Sequence, residues 1–212
     1  MSFLLSYIIL AQIFAIAALS TNLLVGIIGI FSVSQAAIMG IGAYACALLL
    51  LNLDVPFFVA LAGAMLICAA VNIVTSLPSL RLAGDYFVVT SFGVQLVATA
   101  VFINWSAVTG GSSGLSGIPA PTLFGMLAFD APIFVGLSTF LLLLVAAAYA
   151  LLMRSPYGRL LNAIRLDEIA VVAAGRNVLM AKLGASAVSG AFAGAAGSLY
   201  AVYMSFIDPI SF

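Results

Sequence analysis

Charged residues are scarce in this sequence, and histidine is absent from it. Lysine, arginine, aspartate and glutamate make up 6% of the 212 residues. A typical soluble domain carries about 25%, so this chain lacks the charge to cover a surface in water. The net charge is zero, which leaves no basic field to attract nucleic acid, and no nucleic-acid partner is expected.

Groups that carry catalysis are also lacking. The sequence has one glutamate and no acidic pair inside an apolar stretch, so proton-transfer chemistry has no suitable groups. The P-loop pattern GxxxxGK[ST] does not occur, which excludes ATP binding of that kind. Cys46 and Cys68 lie in apolar runs and are interpreted as small buried side chains, because without histidine they have no partners for a metal site. We therefore expect no enzymatic activity, metal or cofactor.

Long uncharged apolar runs dominate what is present. Of the residues 66% are hydrophobic, and the mean hydropathy is +1.35. About 20 apolar residues form a helix that crosses roughly 30 Å of hydrocarbon, and backbone in lipid must satisfy its own hydrogen bonds. The sequence therefore predicts an all-α fold, a polytopic transmembrane bundle that forms one permease-like domain over residues 1–212. We place six spans near 5–30, 35–52, 56–78, 86–107, 131–153 and 183–204.

The N-terminal quarter is the least regular part of the pattern. It has neither a basic leader nor a clear cleavage site, so its first stretch is interpreted as a span rather than a signal peptide. Small and polar residues then interrupt the apolar run near 22–44. This stretch is compatible with one long helix, or with a span followed by a broken or re-entrant piece. The interrupting residues are Gly26, Gly29, Ser32, Ser34, Gln35, Gly40 and Gly42.

Lysine and arginine set the predicted orientation. Arg81 stands alone, and the other basic residues lie between Arg154 and Lys182. Two spans separate these places, so both fall on one side, which the positive-inside rule makes cytoplasmic. A Gly/Ser-rich external loop at about 108–130 then lies outside. Six spans place both termini outside, whereas an extra crossing in 5–52 would reverse the N-terminus. The aspartates predicted to lie outside are Asp54, Asp130 and Asp208.

The polar segment 154–182 carries most of the charge. Ser155 is suited to cap a helix with Pro156 at its first position, and Gly175 is suited to end a short helix. The pattern predicts one or two short amphipathic helices on the cytoplasmic face. They either anchor the fold at the lipid headgroups or dock a soluble partner. Apolar residues recur at helical intervals at Leu160, Leu161, Ile164, Ile169, Val172 and Ala173.

Small residues recur every fourth position in the last predicted span. Ser186, Gly190, Gly194 and Ser198 share one helical ridge. Such ridges allow membrane helices to approach closely, so the ridge indicates static packing or the lining of a path beside a moving neighbour. The segment 109–121 is different, because its glycines and prolines argue against both a helix and a membrane strand.

Taken together, several ordered motifs resemble the membrane permease subunits of bacterial branched-chain amino-acid ABC transporters, the LivM/LivH family and its LivM type. The resemblance runs through nearly the whole chain. The motifs are NLLVGIIGIFSVSQAAIMGIGAYACALL (Asn22–Leu49), LRLAGDYF (Leu80–Phe87), TGGSSGLSGIP (Thr109–Pro119), SPYGRLLNAIRLDEIAVVAAGRNV (Ser155–Val178), KLGASAVSGAFAGAAGSLYA and IDPISF.

This resemblance implies a multi-pass protein of the bacterial inner membrane, in contact with lipid. It implies two ABC ATPase subunits, a second permease subunit in a heterodimer and a periplasmic substrate-binding protein. ATP hydrolysis would then take place on the partner. The loop would sit in a cleft of the ATPase, and Gln35, Gly40 and Gly42 would join the ridge residues in helix packing or the pathway. The expected docking residues are Arg159, Arg165, Asp167, Glu168, Ala173 and Gly175.

The sequence also departs from the family pattern. Val172 stands where the family commonly has glutamate, and family members carry further spans beyond the position of Phe212, which favours a C-terminally short form. The main hypothesis is uptake of branched-chain or related hydrophobic amino acids. Permeation of urea or short amides, a partner-independent secondary transporter, and a scaffold without transport stay open. A secondary transporter usually places ionisable groups inside the membrane, and no predicted span contains one.

Overall fold

The computed structural model describes residues 2–29, 31–53, 55–79, 85–119, 122–123, 126–127 and 131–212. Within them, six helices are long and apolar enough to cross a membrane, which confirms the predicted helical bundle. The first helix continues as a π-helix, Leu23–Ile28. The helices are α1 (Ser2–Asn22), α2 (Gln35–Leu53), α3 (Phe57–Ser79), α4 (Asp85–Asn104), α5 (Ser106–Thr109), α6 (Ala131–Arg154), α7 (Pro156–Leu166), α8 (Glu168–Ala173) and α9 (Val178–Met204).

The predicted spans agree with α1 to α4, α6 and α9, with shifted ends. The last span begins at Val178 rather than near 183, because the Asn177 side chain caps it by accepting from the Met180 N–H at 3.1 Å. The fourth ends at Asn104 rather than 107. Trp105 lies outside regular helix there, and the short α5 follows.

The ambiguous N-terminal stretch consists of two crossings with a break between them. The π-helix ends at Gly29, whose φ of 79° is left-handed and whose N–H bonds to the Leu24 carbonyl. The chain resumes helical structure at Gln35, and the 19 residues of α2 are enough for a crossing. One continuous helix is therefore wrong, and the broken alternative is confirmed, because the helix ends at Gly29 and a new one begins at Gln35.

Helix α9 lies at the centre of the bundle and contacts α1, α2 and α3. Its small residues permit this, since Gly194 lies against Gly42 of α2 and against Cys68 of α3. Helix α1 also packs on α6, while α4 lies at the margin against α2 and α3. In lipid, close packing of this kind replaces the hydrophobic drive that holds soluble bundles together.

The two ends of the bundle differ. At one end, strand β1 (Leu115–Ser116) pairs antiparallel with β4 (Phe206–Ile207), beside a 3-10 turn at Gly111–Ser113. The predicted absence of helix in 109–121 is therefore wrong by one 3-10 turn, which Gly110 and Gly111 permit through their positive φ. The short pair β2 (Thr122–Leu123) and β3 (Met126–Leu127) forms a second two-stranded sheet, and Pro209–Ser211 a 3-10 turn.

The opposite end carries α7 and α8, between α6 and α9. Because α6 and α9 run in opposite directions between the two ends, segment 154–182 and the β1–β4 pair lie on opposite sides of the bundle. Residues 80–84, which include Arg81, lie outside the described residues, as do Asp54 and Asp130.

Candidate docking site at the basic end

Local capping builds the two short helices of this site. The Ser155 hydroxyl accepts from the Gly158 N–H at 3.3 Å, and Pro156 occupies the first position of α7, as predicted. Asp167 then adopts an extended conformation, and its carboxylate accepts from the Ala170 N–H at 3.0 Å to start α8. Gly175, with a φ of 76°, follows the end of α8. Asp167 is therefore a helix cap, a role that the preference of aspartate for the N-cap position could have suggested.

One face of α7 is buried against the first span. Leu161 and Ile164 pack with Leu24 and Ile28 of the π-helix, in an apolar cluster separate from the main core of the bundle. The start of α9 closes the same cluster. The two short helices are thus packed on the spans rather than loosely tethered to them. The other buried members of this cluster are Val171, Val178, Ala181 and Ala185.

The opposite face leaves large apolar side chains exposed. Leu166 is 87% exposed, Ile169 82% and Val172 56%. The helical series expected to share one face is therefore divided, because the chain turns between α7 and α8 at Asp167. An open groove of about 380 Å³ lies between the two helices, lined by apolar side chains that include Leu160, Ala163, Leu166, Ala170, Val171 and Ala174.

The charges predicted to dock a partner have different surroundings. Arg159 is exposed on α7. The Glu168 carboxylate accepts twice from Lys182 at 2.8 Å, which ties α8 to the first turns of α9. The Arg165 guanidinium turns toward the first span and donates to the Gly26 carbonyl. Ala173 and Gly175 are exposed. The exposed apolar side chains, rather than the charges, form the most prominent feature of this face.

Tyr157 is a residue of this site that the sequence did not single out. Its hydroxyl donates to the Ala181 carbonyl at 2.5 Å. The hydroxyl also lies against Gly184, where an added Cβ would stand 2.5 Å from the hydroxyl oxygen. Burial raises the pKa of the Tyr157 phenol, and a backbone hydrogen bond from Ala185 opposes this in part. The contact fixes the start of α7 to the start of α9.

The glycines predicted to serve helix packing or the pathway lie at close helix crossings. A Cβ at Gly190 would stand 2.6 Å from the Cys68 carbonyl oxygen, and one at Gly40 would stand 2.9 Å from the Phe102 ring. Gly42 and Gly194 face each other where α2 crosses α9. Each of these glycines therefore lies where its own helix, α2 or α9, contacts a neighbouring helix.

The serines of the ridge hydrogen-bond inside their own helix. Ser186 Oγ donates to the Lys182 carbonyl at 3.0 Å, and Ser198 Oγ to the Gly194 carbonyl at 2.8 Å. The Ser186 carbonyl also accepts from Asn72 Nδ2 of α3 at 2.7 Å. Both serines are buried at the centre of the bundle.

Gln35 belongs to a buried polar cluster that joins three helices. Ser20 Oγ donates to the Ser189 carbonyl at 2.6 Å, and Ser189 Oγ donates to the Ser20 carbonyl at 2.9 Å. The Gln35 amide donates to both hydroxyls, at 2.9 Å in the case of Ser189. Its carbonyl oxygen is buried with no hydrogen-bond partner among the described residues. No local pattern indicates this cluster, because its serines stand 169 positions apart in the sequence.

Among the residues that the structure describes, no group of three or more histidine, cysteine, aspartate or glutamate side chains is placed to hold a metal ion.

Comparison with known proteins matches nearly all of the chain. A family model described as a branched-chain amino acid transport system permease component matches residues 3–212. A protein of Escherichia coli K12, named high-affinity branched-chain amino acid transport system permease protein LivM, is 35% identical over 227 residues. That alignment covers 96% of this chain and 53% of the relative.

Two further relatives bear similar names. The LivM permease protein of Salmonella typhimurium LT2 is 34% identical over 226 residues, covering 96% of this chain and 53% of its own length. A probable LivM permease protein of Methanocaldococcus jannaschii is 28% identical over 127 residues, covering 60% of this chain and 36% of the relative. The chain thus spans about half the length of the first two relatives. No solved structure matches the chain significantly.

Proposed function

Because this chain belongs to the family of branched-chain amino acid transport permease components, we propose that it forms part of the membrane pathway of an ABC importer for branched-chain or related hydrophobic amino acids. The chain is a multi-pass membrane protein, and the proposal places it in the bacterial inner membrane. The proposed partners are two ABC ATPase subunits, a second permease subunit and a periplasmic substrate-binding protein. The chain itself is proposed to be a transport subunit without catalytic activity.

The exposed face of α7 and α8 carries this proposal. Leu166, Ile169 and Val172 are exposed beside an open apolar groove, on a segment whose other side is packed against the first and last spans. Exposed apolar side chains with a charged rim are typical of a helix that inserts into a partner's groove. A partner bound there contacts α7, which packs on the first and last spans. A movement of the partner can therefore be passed through α7 to these two spans.

The need for an energy source supplied by a partner supports the same proposal. The sequence contains no P-loop, and the described spans contain no charged residue other than those at their ends, Asp85, Arg154 and Lys182. A secondary transporter that couples to an ion normally holds ionisable groups within the membrane. Uptake against a gradient therefore requires an external supply of energy, which an ATPase docked at α7 and α8 would provide.

The first experiment tests docking. The chain is co-purified with a candidate ABC ATPase from the same organism, and the same is done with Ile169→Asp. We expect the affinity to fall about tenfold or more, since a buried apolar contact is replaced by an unpaired carboxylate. The matched control is Met180→Asp, because Met180 is also exposed, at 66%, but lies in the first turn of α9 outside the groove. Equal losses in both variants would argue against the α7–α8 face.

The second experiment tests transport. The assembled transporter is reconstituted in vesicles with the binding protein, and uptake of labelled leucine, isoleucine and valine is measured with and without ATP. We expect ATP-dependent uptake, with urea and acetamide as poor competitors. Uptake that needs neither ATP nor the ATPase would support a secondary transporter instead, and efficient competition by urea or acetamide would favour the amide-transporting alternative.

A further inference from the structure

The end of the first span that lies beside α7 has an unusual backbone. Residues Leu23–Ile28 form a π-helix, a wider turn that is rare and occurs frequently at functional sites. It is followed by Gly29, whose left-handed φ of 79° ends the helix, and by the break before α2. A residue other than glycine at Gly26 would bring its Cβ within 2.8 Å of the Asn22 side-chain amide. This is the place where the continuity of the first two spans is interrupted.

One side chain from α7 reaches this place. The Arg165 guanidinium donates to the Gly26 carbonyl inside the π-helix, across a sequence separation of 139. Its aliphatic stem passes over Gly29, where an added Cβ would lie 3.4 Å from the Arg165 Cγ. The contact therefore needs both a long stem and a charged donor, which arginine combines.

The contact differs in kind from the apolar packing beside it. Leu161 and Ile164 of α7 are buried against Leu24 and Ile28, and this packing holds the elements together without fixing their register. A hydrogen bond from a charged donor to one carbonyl is directional and specifies one relative position. Arg165 thus fixes where α7 stands along the π-helix.

Arg159 provides a comparison on the same helix. It is exposed, and among the described residues no hydrogen-bond or ion-pair partner is found for its side chain. The two arginines are six positions apart in α7 and both are exposed, but only the Arg165 guanidinium donates to the chain's own backbone. A side chain already committed to a carbonyl of its own chain is poorly placed to be a simple docking contact.

From this geometry we propose that Arg165 is a positioning residue that transmits displacement of α7 and α8 to the π-helical end of the first span. The inference rests on the proposed function, because it requires an ATPase that moves the docking segment. When the ATPase closes, α7 moves, and the guanidinium carries the movement to the Gly26 carbonyl and the break that follows. Without Arg165 the partner still binds, but its movement is absorbed by sliding of the apolar contacts.

The test separates binding from coupling in the assembled transporter. In Arg165→Gln we expect ATPase association within about twofold of the unsubstituted protein, because the exposed face of α8 is intact. We expect the number of substrate molecules taken up per ATP hydrolysed to fall about tenfold. Arg154→Gln is the matched control, because Arg154 is an exposed arginine at the end of α6 that is not among the expected docking residues, and the transport-to-hydrolysis ratio should be unchanged. Arg165→Lys, which keeps a long stem and one charged donor, should recover part of the ratio.

A second measurement does not depend on transport. Amide hydrogen exchange at residues 23–29 is followed in the complex, with and without a non-hydrolysable ATP analogue. We expect a nucleotide-dependent change in exchange at these residues, and its loss in Arg165→Gln. Residues 190–204 of α9 serve as the internal reference, because the contact does not reach them. In the isolated chain, the same substitution should accelerate exchange at 23–29 alone.

These measurements keep the two proposals apart. If the unsubstituted complex shows no ATP-dependent uptake, the proposed function fails, while exchange at 23–29 in the isolated chain still reports on the contact. If uptake is normal and Arg165→Gln lowers association with an unchanged transport-to-hydrolysis ratio, Arg165 is a docking contact and the inference is wrong. Unaltered behaviour in every assay overturns it as well. Should Arg165→Gln fail to fold, Arg165→Met keeps the apolar stem, and failure of both would assign Arg165 a structural role only.

Discussion

The backbone of Gly194 lies directly against that of Gly42 where the second and last spans cross. A Cβ built on Gly42 would stand 2.6 Å from the Gly194 Cα, closer than real Cβ atoms approach, and 3.0 Å from the Gly194 carbonyl oxygen. The obstructing atoms belong to backbone, so no side-chain rotation relieves the clash. The central position of α9 therefore depends on the absence of a side chain at this crossing.

We predict that Gly42→Ala destabilises the folded chain by about 1–3 kcal/mol, the usual cost of overpacking a filled interface. The matched control is Gly136→Ala in α6, where an added Cβ has no atom within 4 Å. That change is expected to be neutral or to stabilise by up to about 1 kcal/mol through helix propensity. Thermal unfolding in detergent measures both. Equal unfolding temperatures for the two variants would mean that the crossing tolerates a methyl group.

The sequence predicted the helices and their order better than it predicted the polar contacts. Length and hydropathy located the six long helices, and Ser155 and Gly175 located the ends of the short ones, because these signals are local. Arg165 was assigned to docking although its guanidinium faces Gly26. A long side chain can point either way from a helix, and only the fold brings residue 26 beside residue 165. The Ser20–Ser189 contact could not be predicted for the same reason, because only the fold brings these two residues together.

The cluster of Ser20, Ser189 and Gln35 yields a prediction that distinguishes packing from transport. Hydrogen bonds between membrane helices contribute about 0.6 kcal/mol on average and up to about 1.7. We therefore expect Ser189→Ala to cost roughly 0.5–1 kcal/mol, since the Ser189 backbone carbonyl still accepts from Ser20.

Gln35→Met tests the remaining member of that cluster. It removes the amide donors together with the buried carbonyl oxygen that has no described partner, so its cost should be below about 1 kcal/mol. A static packing role predicts unchanged uptake after correction for the amount of folded protein. A loss of uptake with normal thermal stability would instead place the Gln35 amide in the pathway.

The link between Tyr157 and Ala181 predicts a specific pH behaviour. Burial raises the pKa of the phenol above its ordinary value of 10.0, so the folded state holds the proton more tightly than the unfolded chain does. The stability from the neutral hydroxyl is therefore complete below pH 10 and is lost only as the pH rises through the raised pKa. From this contact we expect no change in unfolding temperature between about pH 6 and 9.

Tyr157→Phe checks that account directly. It keeps the ring but removes the donor to the Ala181 carbonyl, and it should cost about 1 kcal/mol at neutral pH. The same variant should lose the part of the alkaline destabilisation that comes from this hydroxyl. An identical decline of stability above pH 10 in both proteins would assign the alkaline transition to other groups.

The ion pair between Glu168 and Lys182 should contribute little energy, although both carboxylate oxygens lie 2.8 Å from Nζ. The Glu168 side chain is 53% exposed, so solvent screens the attraction. A double-mutant cycle with Glu168→Gln and Lys182→Met should give a coupling of about 0.2–1 kcal/mol that shrinks in high salt. A coupling well above this range, or one insensitive to salt, would show that the pair is shielded in the membrane-bound protein.

The final prediction concerns which end of the bundle faces the cytoplasm, because docking by an ATPase requires α7 and α8 on that side. Cys46 and Cys68 are free and buried, so the unsubstituted chain should react poorly with maleimides and serves as its own background. Ser116 and Asn162 are exposed at opposite ends. In intact cells, a membrane-impermeant maleimide should label Ser116→Cys, and it should label Asn162→Cys only after permeabilisation. The opposite pattern would place the apolar face of α8 outside the cell, where no ATPase could reach it, and the proposed mode of energy supply would fail with it.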